Sequence, residues 1–148
     1  MGHGEKPFRV FRAIRPIEEA NIFVMTSGFN YGTGVFEGIR AFWNAEEQEL
    51  FGFRMREHYL RLLRSARVLL MDLPYSADDL GQITLELLRR EGAPARTCTS
   101  GPSPTSSSEE IGVRSLHNLE CDLAIFAVPF QAYLPEGGIR AMVSSWRR

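Results

Sequence analysis

Two rhythms of apolar positions run through this chain. Tyr59, Leu63, Ala66 and Leu70 recur at helical spacing, with Leu62 and Leu69 beside them, which predicts a helix over 57–70. Arg61 lies far round from that stripe. A second helix is predicted after Pro74. Ser76 can cap it, Asp79 holds the third position of a capping box, and Leu80, Ile83 and Leu87 form its apolar face. Gly92 is its expected stop. Shorter apolar runs predict strands. Residues 21–26 read as a short buried strand, and 38–43 and 49–54 as two strands joined by a polar turn at 44–48. Residues 121–130 read as a buried strand ending near Pro129. Pro135, Gly137 and Gly138 mark a linker, and 138–146 reads as one more strand. The expected class is α+β, an antiparallel sheet with two packed helices.

Residues 95–106 follow neither rhythm. They are rich in Ser, Thr, Pro and Gly, and their composition predicts a flexible loop. A loop of that length is unusual inside a compact domain.

Composition narrows the function classes. A chain of 148 residues with 44% hydrophobic and 24% charged content can bury one core. The net charge of −1 and the scatter of arginines among eighteen acids exclude a nucleic-acid footprint. Cys98 and Cys121 form neither a disulfide framework nor a metal-ligand spacing, and they suit a reducing cytoplasm. His3, His58 and His117 stand alone, so no metal site is expected. No run suggests a signal core or a membrane span.

The chemistry concentrates in Phe29-Asn30-Tyr31-Gly32-Thr33-Gly34-Val35-Phe36-Glu37-Gly38-Ile39-Arg40-Ala41-Phe42, with four aromatics and three glycines. This stretch resembles the N-terminal signature of fold-type IV enzymes that use pyridoxal 5'-phosphate. Val35-Phe36-Glu37-Gly38-Ile39-Arg40 is similar to the branched-chain amino-acid aminotransferases in particular. Arg56-Glu57-His58-Tyr59-Leu60-Arg61 matches the family's Arg-Glu-His-x-x-Arg.

The resemblance implies a small N-terminal α+β domain over 15–130, after an extension at 1–14. It also implies an interdomain linker at 131–137 and the first strand of an absent large domain at 138–148. It assigns Arg61 to the cofactor phosphate, and Tyr31, Phe36, Gly38 and Arg40 to the substrate. Aromatic walls and a glycine suit a branched aliphatic side chain. The implied reaction moves an amino group between leucine, isoleucine or valine and 2-oxoglutarate, in a cytoplasmic homodimer. The partners are small amino acids and 2-oxo acids, with no nucleic acid and no membrane.

Two departures qualify that picture. Lys6 is the only lysine, so the Schiff-base lysine is missing and no catalytic residue is assigned; the chain is expected to be an inactive fragment. The family also has a Tyr-Ile-Arg-Pro strand where this chain has Thr99, Ser100, Gly101 and Pro102. Codons compatible with 95–106, read one nucleotide out of frame, give Gly-Glu-Asp-Val-Tyr-Ile-Arg-Pro-Leu-Ala-Tyr-Lys at the same residue count. The segment is therefore read as a compensated frameshift or a sequencing error in preference to a natural loop. The alternatives are a D-amino-acid transaminase or aminodeoxychorismate lyase of the same fold, or a non-catalytic binding or regulatory module.

Overall fold

The computed structural model of the chain describes residues 19, 21–90, 98–100, 103–106, 121–129, 137–143 and 145. The expected extension at 1–14, the stop at Gly92 and the greater part of the linker at 131–137 lie outside these residues.

A short helix, α1 (Ser27–Tyr31), leads into strand β1 (Ile39–Asn44), which turns back into β2 (Glu49–Gly52). The turn forms because Asn44 Oδ1 accepts the backbone N–H of Glu46 at 2.9 Å and of Glu47 at 3.3 Å. Gln48 closes it in the left-handed region, at φ 55°.

Helices α2 (Met55–Val68) and α3 (Ala77–Arg90) follow. The capping box of α3 forms as its spacing predicts. The Ser76 N–H donates to Asp79 Oδ2 at 2.8 Å, and the Asp79 N–H donates to Ser76 Oγ at 3.1 Å. The end of α2 differs from expectation. Leu70 is left-handed at φ 57°, and the Met71 N–H returns to the Ala66 carbonyl at 2.9 Å. The chain therefore leaves the helix before the apolar stripe is complete. Leu69 and Leu70 are exposed, and Met71 takes the buried place.

The core joins sheet and helices through Ile39, Tyr59, Leu62, Ala77, Leu80 and Leu123. A buried polar tie joins the helices. Thr84 Oγ1 donates to the Leu80 carbonyl at 2.9 Å, so the Tyr59 hydroxyl must be the donor in its own bond to Thr84 Oγ1.

Strands β3 (Cys98–Ser100), β4 (Ser103–Ser106), β5 (Cys121–Ala124) and β6 (Ala127–Pro129) complete the architecture. One sheet has the order β2-β1-β3-β6 and a second pairs β4 with β5, all antiparallel. The two ladders share one register: Ser100 faces Ala127, and Ser103 faces Ala124. β3 with β6 and β4 with β5 are thus paired in one continuous register.

This corrects the expected loop at 95–106. Residues 98–100 and 103–106 are strands, and β3 lies between two neighbours instead of leaving a sheet edge open. The ladder is a backbone interaction, so flanking strands can hold a Ser/Thr segment whose side chains announce nothing.

One apolar run is corrected as well. Residues 21–26 form a turn and not a buried strand, with Ile22 68% and Val24 63% exposed. The Thr26 N–H donates to the Phe23 carbonyl at 2.9 Å and Asn30 Nδ2 to the Val24 carbonyl at 2.7 Å, which fixes the turn. A short apolar run does not by itself say what covers it. Residues 138–143, expected as the first strand of the large domain, pair with no strand among the described residues, and Ile139, Met142 and Val143 are exposed. A lone extended segment has no ladder to stabilise it.

Candidate functional site

The segment entering β1 alternates in burial, and that alternation sorts the motif. Glu37, Ile39 and Ala41 face the core, whereas Phe36, Gly38 and Phe42 are exposed and Arg40 is half-buried. Phe36, Gly38 and Arg40 therefore share the open face, as their assignment to one substrate surface requires. Phe36 is 82% exposed, so this face is a surface and not a closed slot. Tyr31 ends α1, exposed, directly before Gly32, whose φ of 64° ends the helix in the left-handed region. Asn30 Nδ2 also donates to the Thr26 carbonyl at 3.1 Å, and the Ser27 and Thr33 hydroxyls meet at 3.1 Å. These bonds set where Tyr31 leaves the helix.

On the core side, Glu37 is a carboxylate only 6% exposed, and it is fully engaged. Arg61 Nε donates to its Oε1, Arg61 Nη2 donates to its Oε2 at 2.7 Å, and His58 Nδ1 lies 2.9 Å from the same Oε2. His58 and Arg61 are one turn apart on α2 and reach the same acceptor. The Arg61 guanidinium holds the Glu37 carboxyl below the usual glutamate range; burial opposes this, and His58 adds to it. An ionised carboxylate only accepts, so His58 carries its proton on Nδ1 and donates. A protonated Nδ1 has no lone pair to accept from Arg61 Nη2, so their 3.3 Å approach is proximity and not a second bond. Glu37 in turn raises the Arg61 guanidinium further above its already high value.

Arg61 is the sequence-assigned cation, and it stands on the polar face of α2 with its side chain 66% exposed. The bond to Glu37 uses its Nε–Nη2 edge. The Nη1 end is the part of the fork left to face a ligand. Sequence reasoning placed Arg61 but not the two residues that hold it. The signal for Glu37 was parity: a carboxylate in step with Ile39 and Ala41 is a charge on a buried face, which demands a partner. The signal for His58 was its three-residue spacing from Arg61.

Elsewhere, burial pushes the Cys121 thiol up, against a backbone hydrogen bond at Asp72, so it is not an activated nucleophile. Among the described residues no cluster could hold a metal ion, and no helix is long and apolar enough to cross a membrane.

Comparison with known proteins gives this arrangement a family. Residues 34–148 match the family described as Amino-transferase class IV. A probable branched-chain-amino-acid aminotransferase of Aquifex aeolicus is 45% identical over 141 residues, which is 91% of this chain and 43% of that protein. Among solved structures, the branched-chain aminotransferase of Thermoproteus uzoniensis with norvaline superposes at a TM-score of 0.81 with 43% identity, over 88% of this chain and 43% of the other. The branched-chain amino acid aminotransferase of Escherichia coli gives 0.74 with 32% identity, over 89% and 41%. The chain belongs to the class IV aminotransferases. It spans somewhat under half the length of these relatives.

The branched-chain members of this class work with pyridoxal 5'-phosphate. The donor set at Arg61 fits the phosphate end of that group: a permanent cation, exposed, with one edge fixed and one end free. The covalent end has no donor here, because residues 34–148 contain no lysine.

Proposed function

We propose that this chain supplies the phosphate anchor and one wall of the substrate surface in an aminotransferase for branched-chain amino acids. The observation that carries the reading is the Arg61 guanidinium, gripped on one edge by the buried Glu37 carboxylate, in a chain of this family.

When bound, pyridoxal 5'-phosphate serves as the electron sink for amino-group transfer. Arg61 binds the phosphate with charge-assisted hydrogen bonds. Phe36 offers apolar area, Gly38 leaves room beside it for a branched side chain, Arg40 borders the same surface, and the family resemblance adds Tyr31. Apolar contact of this kind separates side chains differing by one methylene by only about 1–3 kcal/mol, so leucine, isoleucine and valine are all substrates, with 2-oxoglutarate as acceptor. The lysine that takes and returns the proton is not among these 148 residues, so the isolated chain does not transfer amino groups. The family resemblance supports a homodimer, and two cysteines without a framework spacing suit a reducing cytoplasm.

The test is a chimera in which residues 1–148 replace the matching part of the Aquifex aeolicus relative. Amino transfer from leucine, isoleucine and valine to 2-oxoglutarate is the expected result. Activity confined to D-alanine, or pyruvate release from aminodeoxychorismate, moves the chain to a sister activity. A chimera that folds and retains cofactor but transfers from none of these substrates overturns the reading.

A further inference from the structure

The three donors on Glu37 pose a question that the phosphate assignment leaves open. A carboxylate beside an anion-binding cation can act in two opposite ways. It can compete with the anion, in which case its removal tightens binding. It can instead hold the cation in place, in which case its removal loosens binding. We propose that Glu37 is a positioning residue: its carboxylate fixes the Nε–Nη2 edge of Arg61 so that the Nη1 end faces a phosphate ester. This rests on the reading of Arg61 as the phosphate anchor.

The geometry favours holding over competing. The carboxylate is 6% exposed, so an incoming dianion cannot readily displace it into water. Its parity with Ile39 and Ala41 directs it inward two residues ahead of β1, a strand held between β2 and β3. The bond is side-on and bidentate, which sets the plane of the guanidinium as well as its position. Without it, Arg61 is a long, rotamer-rich side chain on the polar face of a helix, and a ligand must order it on arrival. His58 completes the hold by donating to the same Oε2, leaving Arg61 to supply the outward-facing donors.

Pyridoxamine 5'-phosphate is the probe, because it has no aldehyde to react with amines; pyridoxamine, which lacks the phosphate, is its control. Both are titrated calorimetrically into the 148-residue chain and its variants. Glu37→Gln keeps the side chain's shape but removes the charge and the bidentate grip. It is expected to weaken pyridoxamine 5'-phosphate about tenfold, the size of one lost charge-assisted contact, and to leave pyridoxamine unchanged. In an Arg61→Lys background there is no planar fork to aim, so Glu37→Gln should add nothing further. A folded Glu37→Gln chain that binds the phosphate probe as tightly as wild type, or more tightly, overturns the proposal.

A variant that fails to fold does not end the test. The Arg61 Nε–Hε resonance of the wild-type chain should stay sharp and slow to exchange when the probe is added, while the Nη signals shift. Loss of the Nε–Hε protection on binding shows Glu37 being displaced, which also overturns the proposal. The underlying assignment fails separately: an Arg61→Ala chain that binds the phosphate probe as wild type does removes Arg61 as the anchor, whatever Glu37 does.

Discussion

Glu37 Oε2 accepts a hydrogen bond from Arg61 Nη2 at 2.7 Å, across 24 residues of sequence, and so ties the entry of β1 to the polar face of α2. The bond reaches from a buried position just ahead of β1 to an exposed helix position. It makes a cation that the helix alone would leave mobile into a fixed part of the surface.

The tie should be visible in the acid limb of stability. Arg61 and His58 face Glu37, and its carboxyl is held below the usual glutamate range. The stabilisation is therefore fully present above the ordinary glutamate pKa, about 4.3, and is lost as pH falls through the lowered folded value. Glu37→Gln should melt lower than wild type at neutral pH, and the gap should close as pH falls below the ordinary value. Asp79, lowered by its Ser76 cap, keeps some acid sensitivity in both proteins. A gap that stays constant with pH contradicts the pairing.

The buried Tyr59–Thr84 bond joins α2 to α3. Tyr59→Phe should cost about 1 kcal/mol by urea unfolding, because Thr84 keeps the Leu80 carbonyl as its acceptor. Adding Thr84→Val should cost less than the sum of the two single changes. A double variant that loses more than the sum contradicts the shared bond.

Much of the fold could be read from side chains where side chains decide it. The capping box at Ser76 and Asp79, the β1–β2 hairpin and the inward face of α2 at Tyr59, Leu62 and Ala66 follow from spacing and short-range hydrogen bonds. The rest depended on backbone and neighbours. β3 is a strand because β1 and β6 flank it and β4 because β5 pairs with it, and little in Cys98-Thr99-Ser100 or Ser103-Pro104-Thr105-Ser106 signals a strand. Leu69 and Leu70 continue the helical stripe, but a left-handed residue at 70 redirects the chain and buries Met71. At the site, the motif singled out Arg61, while Glu37 became legible only once parity showed its face.

The exposed run from Ile22 to Met25 should drive association. Light scattering is expected to find oligomers of the isolated chain, and Ile22→Ser with Val24→Glu should shift them toward monomer without lowering the melting temperature. A monomeric wild type with a sharp thermal transition contradicts this.

β3 has neighbours on both sides but a weak strand composition. Replacing residues 98–102 by Val-Tyr-Ile-Arg-Pro should stabilise the chain by about 1 kcal/mol, the span of strand propensities. The frameshift reading adds that the codons for 95–106 give the same segment one nucleotide out of frame. A lower melting temperature contradicts the first statement, and incompatible codons contradict the second.

Retention of pyridoxal 5'-phosphate by the chimera with the Aquifex aeolicus relative tests the central claim most directly, by comparing residues 1–148 as they stand with Arg61→Ala. Arg61→Ala is expected to weaken retention at least about tenfold, the loss of a charge-assisted contact, while the order of preference among leucine, isoleucine and valine is unchanged. Equal retention by the two proteins, with both folded, would contradict it.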